Sequence, residues 1–278
     1  ELFEAVDVDG EDSAALATAE SRAKELILGT ELPEDIHAEI LEAYDALDDG
    51  EAFVAVRSSA TAEDLPDASF AGQQDTYLNV TREDLVDRVK RCWASLFTQR
   101  AIYYRQQQGF DHESVDIAVV VQKMVDAEKS GVMFTSHPST GASSVIIEAA
   151  WGLGEAVVSG AVSPDNYVVD RESRTVSDVT VAEKKVKIER DAETGETVER
   201  DVAEARRTAR VLDDEEIKVL VELGERVESH YETPQDVEWA MADGTVYMLQ
   251  SRPITTIDTD TSKTTDAIEP GNDGEDLL

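Results

Sequence analysis

Alternating polar side chains near the end of the chain could bind a metal ion and phosphate. They are Asp236, Glu238, Gln250 and Arg252. Carboxylate and amide oxygens suit Mg²⁺, and a fixed guanidinium suits phosphate. These side chains flank Asp243-Gly244, a turn signal between two runs of alternating polarity. The pattern predicts a β-hairpin with the four polar side chains on one face; a solvated outer face with no ligand is the alternative interpretation.

Register decides which side chains share a face, because directly opposed residues of antiparallel strands point the same way. A three-residue loop (residues 242–244) would pair Glu238 with Met248 and Asp236 with Gln250. The opposite face would then be apolar and would contain Val237, Trp239, Met241, Tyr247 and Leu249. A two-residue loop would shift the register by one residue and mix apolar with charged groups on both faces. We therefore predict the three-residue loop, with its glycine in the left-handed conformation.

A second polar cluster follows the apolar run 52–56, which predicts a short buried strand. Arg57 stands at the exit of that strand, where the backbone would hold it rigidly. The loop that follows is rich in Ser, Ala and Gly, contains Gly72 and ends near Thr76. Such a loop lets its backbone approach a phosphate and close over it, and a polar surface loop is the alternative interpretation.

Hydrophobic periodicity predicts helices and strands that alternate around these two clusters. Helices are predicted over 12–29, 33–49, 82–107 and 213–230, the third as one long amphipathic helix. Strands are predicted over 52–56, 115–121, 131–134, 144–149 and 167–169, and the sheet is expected to continue around 178–188. Residues 189–206 are strongly charged and are predicted to form a surface excursion.

Acidic residues dominate the charge of the chain. Its 278 residues include 61 acids and 25 bases, which give a formal net charge of −36. Hydrophobic residues make up 41% of the chain, too many for an acidic disordered segment. We expect adaptation to high salt, which screens the self-repulsion, and an acidic partner-binding face is the alternative. The lack of a basic patch argues against binding to nucleic acid.

Cys92 is the single cysteine, so no disulfide can form within the chain. It lies among helix-forming residues, and we predict that it belongs to the core. No apolar run is long enough to span a membrane, and no signal-peptide pattern is visible. These features favour a reducing, cytoplasmic setting without membrane attachment.

Several motifs resemble the nucleotide-binding domain of the phosphoenolpyruvate synthase (pyruvate, water dikinase) family, which is related to pyruvate phosphate dikinase and the rifamycin phosphotransferases. They are Arg-Ser-Ser-Ala-Thr-Ala-Glu-Asp at 57–64, Phe-Ala-Gly-Gln at 70–73, Gly-Val-Met-Phe at 131–134, Ala-Trp-Gly-Leu-Gly-Glu at 150–155, Gly-Ala-Val-Ser-Pro-Asp at 160–165, Asp-Val-Glu-Trp-Ala at 236–240 and Gln-Ser-Arg-Pro at 250–253. The motifs keep the family's order and cover roughly residues 20–256. The resemblance implies an α+β ATP-grasp fold in which two lobes clamp ATP.

The resemblance also implies a role for each matched residue. Arg57 and Arg252 would hold the ATP phosphates and stabilise charge during phosphoryl transfer. Glu238 and Gln250 would ligate Mg²⁺, with Asp236 in support.

Three further positions receive implied roles in nucleotide binding. Gln122 would lie near the adenine or the ribose. Gly72 and Thr76 would lie on the loop over the phosphates.

The implied activity uses Mg·ATP to phosphorylate a histidine on a separate domain, and ultimately converts pyruvate, ATP and water to phosphoenolpyruvate, AMP and phosphate. The alternatives are the ATP-grasp domain of a rifamycin phosphotransferase or of a pyruvate phosphate dikinase, and a non-catalytic nucleotide-binding module. None of the four histidines lies in the sequence context of the phosphohistidine domain. The implied partners are therefore ATP, the phosphohistidine domain and the pyruvate-binding domain; formation of a homodimer is left open.

The domain boundaries follow from composition. Residues 1–257 are predicted to form the ATP-grasp domain, and the polar, acidic residues 258–278 a flexible linker or tail. The family begins with a Gly-rich segment that carries a phosphate-binding lysine, and this segment does not match any part of the chain. We expect a piece of a longer protein whose ATP-grasp fold is truncated at the N-terminus.

Overall fold

The computed structural model describes residues 1–60, 64–65, 68–69, 76–139, 141–158, 160–191 and 193–254. The predicted loop position Gly72 and the predicted tail 258–278 lie outside these residues. The helices are α1 (Leu2–Val6), α2 (Ser13–Gly29), α3 (Glu34–Asp45), α4 (Leu85–Ser95), α5 (Gln99–Gln108), α6 (Glu155–Val158), α7 (Glu204–Arg207) and α8 (Asp214–Tyr231), with 3₁₀ turns at Asp48–Gly50 and His112–Ser114. The strands are β1 (Val54–Ala60), β2 (Asp64–Leu65), β3 (Ala68–Ser69), β4 (Thr76–Val80), β5 (Ile117–Lys123), β6 (Lys129–Phe134), β7 (Ser144–Trp151), β8 (Asp165–Asp170), β9 (Thr175–Thr180), β10 (Val186–Arg190), β11 (Thr197–Asp201), β12 (Gln235–Ala242) and β13 (Thr245–Pro253).

A three-stranded antiparallel sheet, in the order β4-β1-β5, presents the first polar cluster. Val54 and Val56 of β1 are fully buried, and they pack with Cys92 of α4 in one apolar cluster. Side chains alternate across a strand, so Ala55 and Arg57 point to the opposite face. The core prediction for Cys92 is confirmed, since its side chain is fully buried.

A six-stranded antiparallel sheet, in the order β13-β12-β6-β7-β8-β9, presents the second polar cluster. Its apolar face packs against α8 through fully buried Trp239, Tyr167 and Leu220. Helix α8 begins at a capping box, in which the Asp213 carboxylate accepts from the Glu216 backbone N–H and the Glu216 side chain accepts from the Asp213 N–H. The chain therefore has the mixed helix and strand content that the sequence predicts.

The predicted single helix over 82–107 is wrong. The structure breaks it into α4 and α5, and the Thr98 hydroxyl accepts the Ala101 backbone N–H at 3.3 Å as the N-cap of α5. The break lets the two helices serve different cores: Val89 of α4 packs under the three-stranded sheet, whereas Ile102 of α5 packs against α2.

The predicted register of the β12–β13 hairpin is also wrong. The loop has two residues, Asp243 and Gly244, both with positive φ (49° and 72°), as a type I′ turn requires. This loop alone would place Glu238 opposite Leu249, but a β-bulge at Leu249 adds one residue to β13 and offsets the shift. Glu238 therefore pairs with Gln250, and Asp236 pairs with Arg252. The polar face keeps its predicted members, although by a different register.

The predicted apolar face of this hairpin changes with the register. Val237, Trp239 and Met241 are buried as predicted. Tyr247 instead pairs with Ala240 and remains 42% exposed, and Leu249 lines a cavity on the polar side.

The charged segment 189–206 is part of a second hairpin. β10 and β11 pair antiparallel over Val186–Arg190 and Thr197–Asp201. The hairpin is only partly covered, so its many charged side chains keep access to solvent.

A fully buried ion pair ties the end of the six-stranded sheet to the segment before α8. Lys184 donates to Asp165, and both side chains are 0% exposed. The Asp165 carboxylate also accepts the backbone N–H of Val211 at 2.8 Å and that of Ala182 at 3.0 Å. Its remaining partner is the Tyr167 hydroxyl, at 3.1 Å. These bonds satisfy the carboxylate that burial would otherwise leave unsolvated.

A buried arginine next to His112 makes stability depend on pH. The Nε of fully buried Arg105 donates to His112 Nδ1 at 3.0 Å, which requires that nitrogen to be unprotonated. Burial, followed by the Arg105 charge, lowers the pKa of His112, and Asp111 and Asp7 partly oppose this. The unfolded chain, with a histidine pKa of about 6.5, therefore takes up a proton first, and the contribution of His112 to stability is lost as pH falls through the folded pKa.

We expect His112→Gln to remove this pH-dependent contribution. The difference in unfolding free energy between wild type and variant should shrink as pH falls from about 7.5 to 5.5. Urea unfolding at several pH values measures it. His230→Gln, at the exposed end of α8, is the comparison variant. A difference for His112→Gln that stays constant across this pH range would contradict the assignment.

No helix in the part of the chain that the structure describes is both long and apolar enough to cross a bilayer.

Candidate functional site

A cleft lies where the three-stranded sheet faces the six-stranded sheet, and its cavity has a volume of about 270 Å³. Its apolar part is lined by Ala55, Leu78, Met124, Val125, Leu153 and Leu249. Arg57, Thr76 and Glu238 line its polar end, and the charged residues Lys123 and Glu155 also line the cavity. An apolar cleft that also carries charged side chains has the polarity that a nucleotide requires.

Arg57 joins the two sheets at the polar end of the cleft. Its Nη2 donates to Glu238 Oε2 at 3.0 Å and also to Gln250 Oε1. Both ionised side chains are about four-fifths covered, with 20% and 21% of their area exposed. Arg57 and Glu238 are 181 residues apart in sequence. Their contact brings the predicted site residues of β1, β12 and β13 together at one point.

Arg252 and Asp236 form a second pair beside the first. Arg252 Nε donates to Asp236 Oδ2 at 3.0 Å, in line with their direct pairing in the hairpin. Burial raises the pKa of Asp236; the Arg252 charge and hydrogen bond lower it, and the neighbouring Glu238 raises it further. The hydrogen bond between Arg252 and Asp236 fixes the orientation of the Arg252 guanidinium.

Gln122 and Thr76 also reach the cleft. Gln122 of β5 lines the cavity, and its Nε2 donates to the Leu249 backbone oxygen at 3.1 Å, which holds the bulge of β13. Thr76 pairs directly with Arg57 and is exposed at the mouth. Gly72 is the predicted site position that falls outside the described residues.

A second cavity of about 220 Å³ adjoins the first and shares Arg57, Gln122 and Leu249 with its lining. It is lined by both guanidinium-bearing residues, Arg57 and Arg252, together with Ser58, Ser59 and Ser251. No carboxylate-bearing residue lines this cavity among those that the structure describes. Two cations and several hydroxyl groups are suited to an oxyanion such as a phosphate.

The donor set at Glu238 and Gln250 fits a divalent cation. A carboxylate oxygen and an amide oxygen converge on one positively charged nitrogen of Arg57, so the two oxygens already hold positive charge between them. Among the described residues, no group of three or more His, Cys, Asp or Glu side chains could hold a metal alone. Mg²⁺ commonly takes only one or two protein ligands and completes its shell with phosphate and water, so the set suits Mg²⁺ bound with a phosphorylated ligand.

Several cleft residues were missed by the sequence analysis. Met124 and Val125 follow β5 and line the apolar wall, and Leu249 enters the cleft through the bulge. An apolar pair directly after the polar Gln122-Lys123 is the one local signal for the wall. The bulge was not predicted, because Leu249 was assigned together with Tyr247 to the apolar face of a regular strand.

Comparison with protein families identifies the type of domain. Residues 1–272 match the family described as "Pyruvate phosphate dikinase, AMP/ATP-binding domain". This match covers nearly the whole chain and confirms the family resemblance of the sequence motifs.

Individual relatives carry related names. A "Probable phosphoenolpyruvate synthase" of Methanothermobacter thermautotrophicus is 54% identical over 95% of this chain and 39% of its own length. One of Archaeoglobus fulgidus is 55% identical over 98% of this chain and 36% of its own length. A "Rifampicin phosphotransferase" of Bacillus cereus is 46% identical over 89% of this chain and 28% of its own length. The chain thus spans less than half the length of these relatives.

Among solved structures, a D-alanine-D-alanine ligase from Helicobacter pylori aligns with 85% of this chain and 54% of its own. The sequence identity is 8% and the TM-score 0.31, a similarity that carries no weight for the fold.

Proposed function

The chain belongs to the pyruvate phosphate dikinase AMP/ATP-binding domain family, and on that premise we propose that it adopts an ATP-grasp fold whose two lobes bind Mg·ATP in the cleft between the sheets. The lobes would be built on the three-stranded and the six-stranded sheet. This ATP-grasp domain would extend over residues 1–257.

The observation that carries this proposal is the convergence of Arg57, Glu238 and Gln250 at one end of an apolar cleft. The adenine fits the apolar part near Met124 and Leu153, and the phosphates extend toward Arg57. Arg252 lines the adjoining cavity and would contact the terminal phosphates. Mg²⁺ at Glu238 and Gln250, when bound, would neutralise phosphate charge. Phosphoryl transfer depends mainly on such positioning and charge stabilisation.

In the complete protein we propose that this domain donates a phosphoryl group to a histidine on a separate domain. The overall reaction would be that of a phosphoenolpyruvate synthase, from pyruvate, ATP and water to phosphoenolpyruvate, AMP and phosphate. The identities of 54% and 55% to proteins with that name support this activity. Transfer to rifampicin is the second candidate, because a relative named for it is 46% identical. Assay of the complete protein with pyruvate and with rifampicin as acceptors separates the two.

Calorimetric titration of the chain with Mg·ATP tests the binding proposal. We expect saturable binding in molar KCl, where the net charge of −36 is screened. ATP without Mg²⁺ should bind more weakly, because the phosphates then face Glu238 and Asp236 without neutralisation. A folded chain, shown by circular dichroism, that binds neither form would refute nucleotide binding by this domain.

Glu238→Gln is expected to raise the Mg²⁺ concentration needed for ATP binding. The substitution keeps the size of the side chain and replaces the carboxylate with an amide, which still has one oxygen but lacks the charge that favours a divalent cation. Titration of Mg²⁺ at fixed ATP measures the half-saturating concentration, which should rise about tenfold or more. Glu222→Gln is the control, because Glu222 lies on α8 and forms an exposed ion pair with Arg174. An unchanged Mg²⁺ requirement would remove Glu238 from the metal site.

A further inference from the structure

We propose that the β10–β11 hairpin is a clasp that positions the apolar wall of the nucleotide cleft, with Arg190 as the positioning residue. This inference rests on the proposed function, because it assigns the hairpin a part in nucleotide affinity. The hairpin belongs to neither main sheet, yet it contacts residues attached to both.

One side of the hairpin is attached to the six-stranded sheet just beyond the end of β7. The Leu153 backbone N–H donates to the Ile188 oxygen at 2.7 Å, and Gly152 forms a bridge with the same residue. Val186 and Ile188 pack on a small buried cluster that includes Ala150 and Ala156. A Cβ on Gly152 would lie 2.2 Å from the Ile188 oxygen, so this approach requires glycine.

The other side of the hairpin contacts the three-stranded sheet and the residue directly before it. The Arg190 guanidinium stacks on the Phe53 ring, 4.4 Å from its centroid, directly before β1 begins. Gly195 of the hairpin turn lies against the same ring, where a Cβ would meet it at 2.7 Å. Asn79 Nδ2 of β4 donates to Thr197 Oγ1 of β11 at 2.6 Å.

Phe53 is hydrogen-bonded directly to a residue of the cleft wall. The Phe53 oxygen accepts the Met124 backbone N–H at 2.8 Å, and Arg190 also pairs with Asp126 at 3.2 Å. Met124 and Val125 line both the nucleotide cleft and a cavity of about 160 Å³ behind it, which Phe53 and Arg190 close from the other side. Arg190 therefore supports the segment from 123 to 127 through two contacts. One is with Phe53, which is hydrogen-bonded to Met124, and the other is with Asp126 in the segment itself.

The test compares two arginines of the same hairpin. Arg190→Gln removes the contacts with Phe53 and Asp126, whereas Arg200→Gln removes ion pairs with Glu189 and Asp191 that stay within the hairpin. We expect Arg190→Gln to weaken Mg·ATP binding about tenfold and Arg200→Gln to leave it within about twofold, with similar melting temperatures. Equal affinity of the two variants for Mg·ATP would overturn the clasp.

Hydrogen exchange supplies a second readout that does not depend on nucleotide. In Arg190→Gln, peptides covering 123–127 should exchange faster than in Arg200→Gln, because the Met124 amide loses the support of Phe53. Peptides of α8 should be unchanged. Unchanged exchange at 123–127, or faster exchange throughout the molecule, would overturn the positioning role. Absence of Mg·ATP binding by the wild type would refute the proposed function, and the exchange result would still decide the clasp.

Gly195→Ala provides a test from the opposite side of the ring. Its added methyl group would push the turn off Phe53, and the residue has φ of +74°. Gly109→Ala is the matched control, since it carries similar strain at φ +71° with nothing within 4 Å of the added atom. We expect faster exchange at 123–127 for Gly195→Ala alone; the same change in both variants would assign the effect to backbone strain and overturn the clasp.

Discussion

Arg57→Gln is expected to weaken Mg·ATP binding by the chain strongly while it leaves the fold intact. The arginine contacts Glu238 and Gln250 from the opposite sheet and also lines both cavities of the site. A charged hydrogen bond to phosphate contributes about 1.5–3 kcal/mol, so affinity should fall about 10- to 150-fold. Calorimetric titration measures this loss, and in the complete protein the rate of phosphoryl transfer should fall about 100-fold or more.

The stability of Arg57→Gln separates a binding role from a structural one. The Arg57–Glu238 pair is partly hydrated, so its loss should reduce the unfolding free energy by only about 1 kcal/mol. Arg82→Gln is the control, because it removes an arginine from an exposed pair with Asp45 outside the cleft. A Mg·ATP affinity equal to that of the wild type would contradict the assignment of Arg57 to the phosphates. A collapse of the fold would show that the residue is mainly structural.

Lys184→Met should cause the largest loss of stability, about 3–5 kcal/mol. The substitution leaves the Asp165 carboxylate fully buried without its cation, although it keeps the bonds from Tyr167 and Val211. Loss of this cation should also loosen the segment that leads into α8. Urea unfolding in high salt measures the change in unfolding free energy.

Two comparison variants test whether burial is the cause. Lys218→Met removes an exposed partner of Glu215, and its unfolding free energy should stay close to that of the wild type. Adding Asp165→Asn to Lys184→Met should restore part of the loss, because a neutral amide leaves no unpaired charge. If Lys184→Met were no more destabilising than Lys218→Met, the buried pair would have no structural role.

Local sequence pattern predicted most elements well where one physical rule decides them. The capped, periodic helices α2 and α8 lie within about a residue of their predictions, because capping and an apolar stripe act within a few turns. The helix predicted over 82–107 was wrong because Thr98 caps a new helix whose apolar residues serve another core. Periodicity reports that residues are buried, but it does not report which core buries them.

The hairpin shows the same division at the site. Alternation alone predicted that Asp236, Glu238, Gln250 and Arg252 share a face, because side chains alternate along any strand. The loop length and register were wrong because the bulge at Leu249 depends on a partner outside the hairpin: its carbonyl accepts from Gln122 of the other sheet. Two compensating changes, a shorter loop and an extra residue, preserved the parity.

The sequence by itself determined the family, the polar face of the hairpin and the arginine at the exit of a buried strand, since motifs and alternation are properties of neighbouring residues. Only the tertiary structure decided that Arg57 meets Glu238 across 181 residues, and that Met124, Leu153 and Leu249 form one apolar wall. It also decided that a charged hairpin grips Phe53 behind that wall. Contacts between segments that are far apart in sequence depend on how the two sheets pack, and no local sequence pattern encodes that packing.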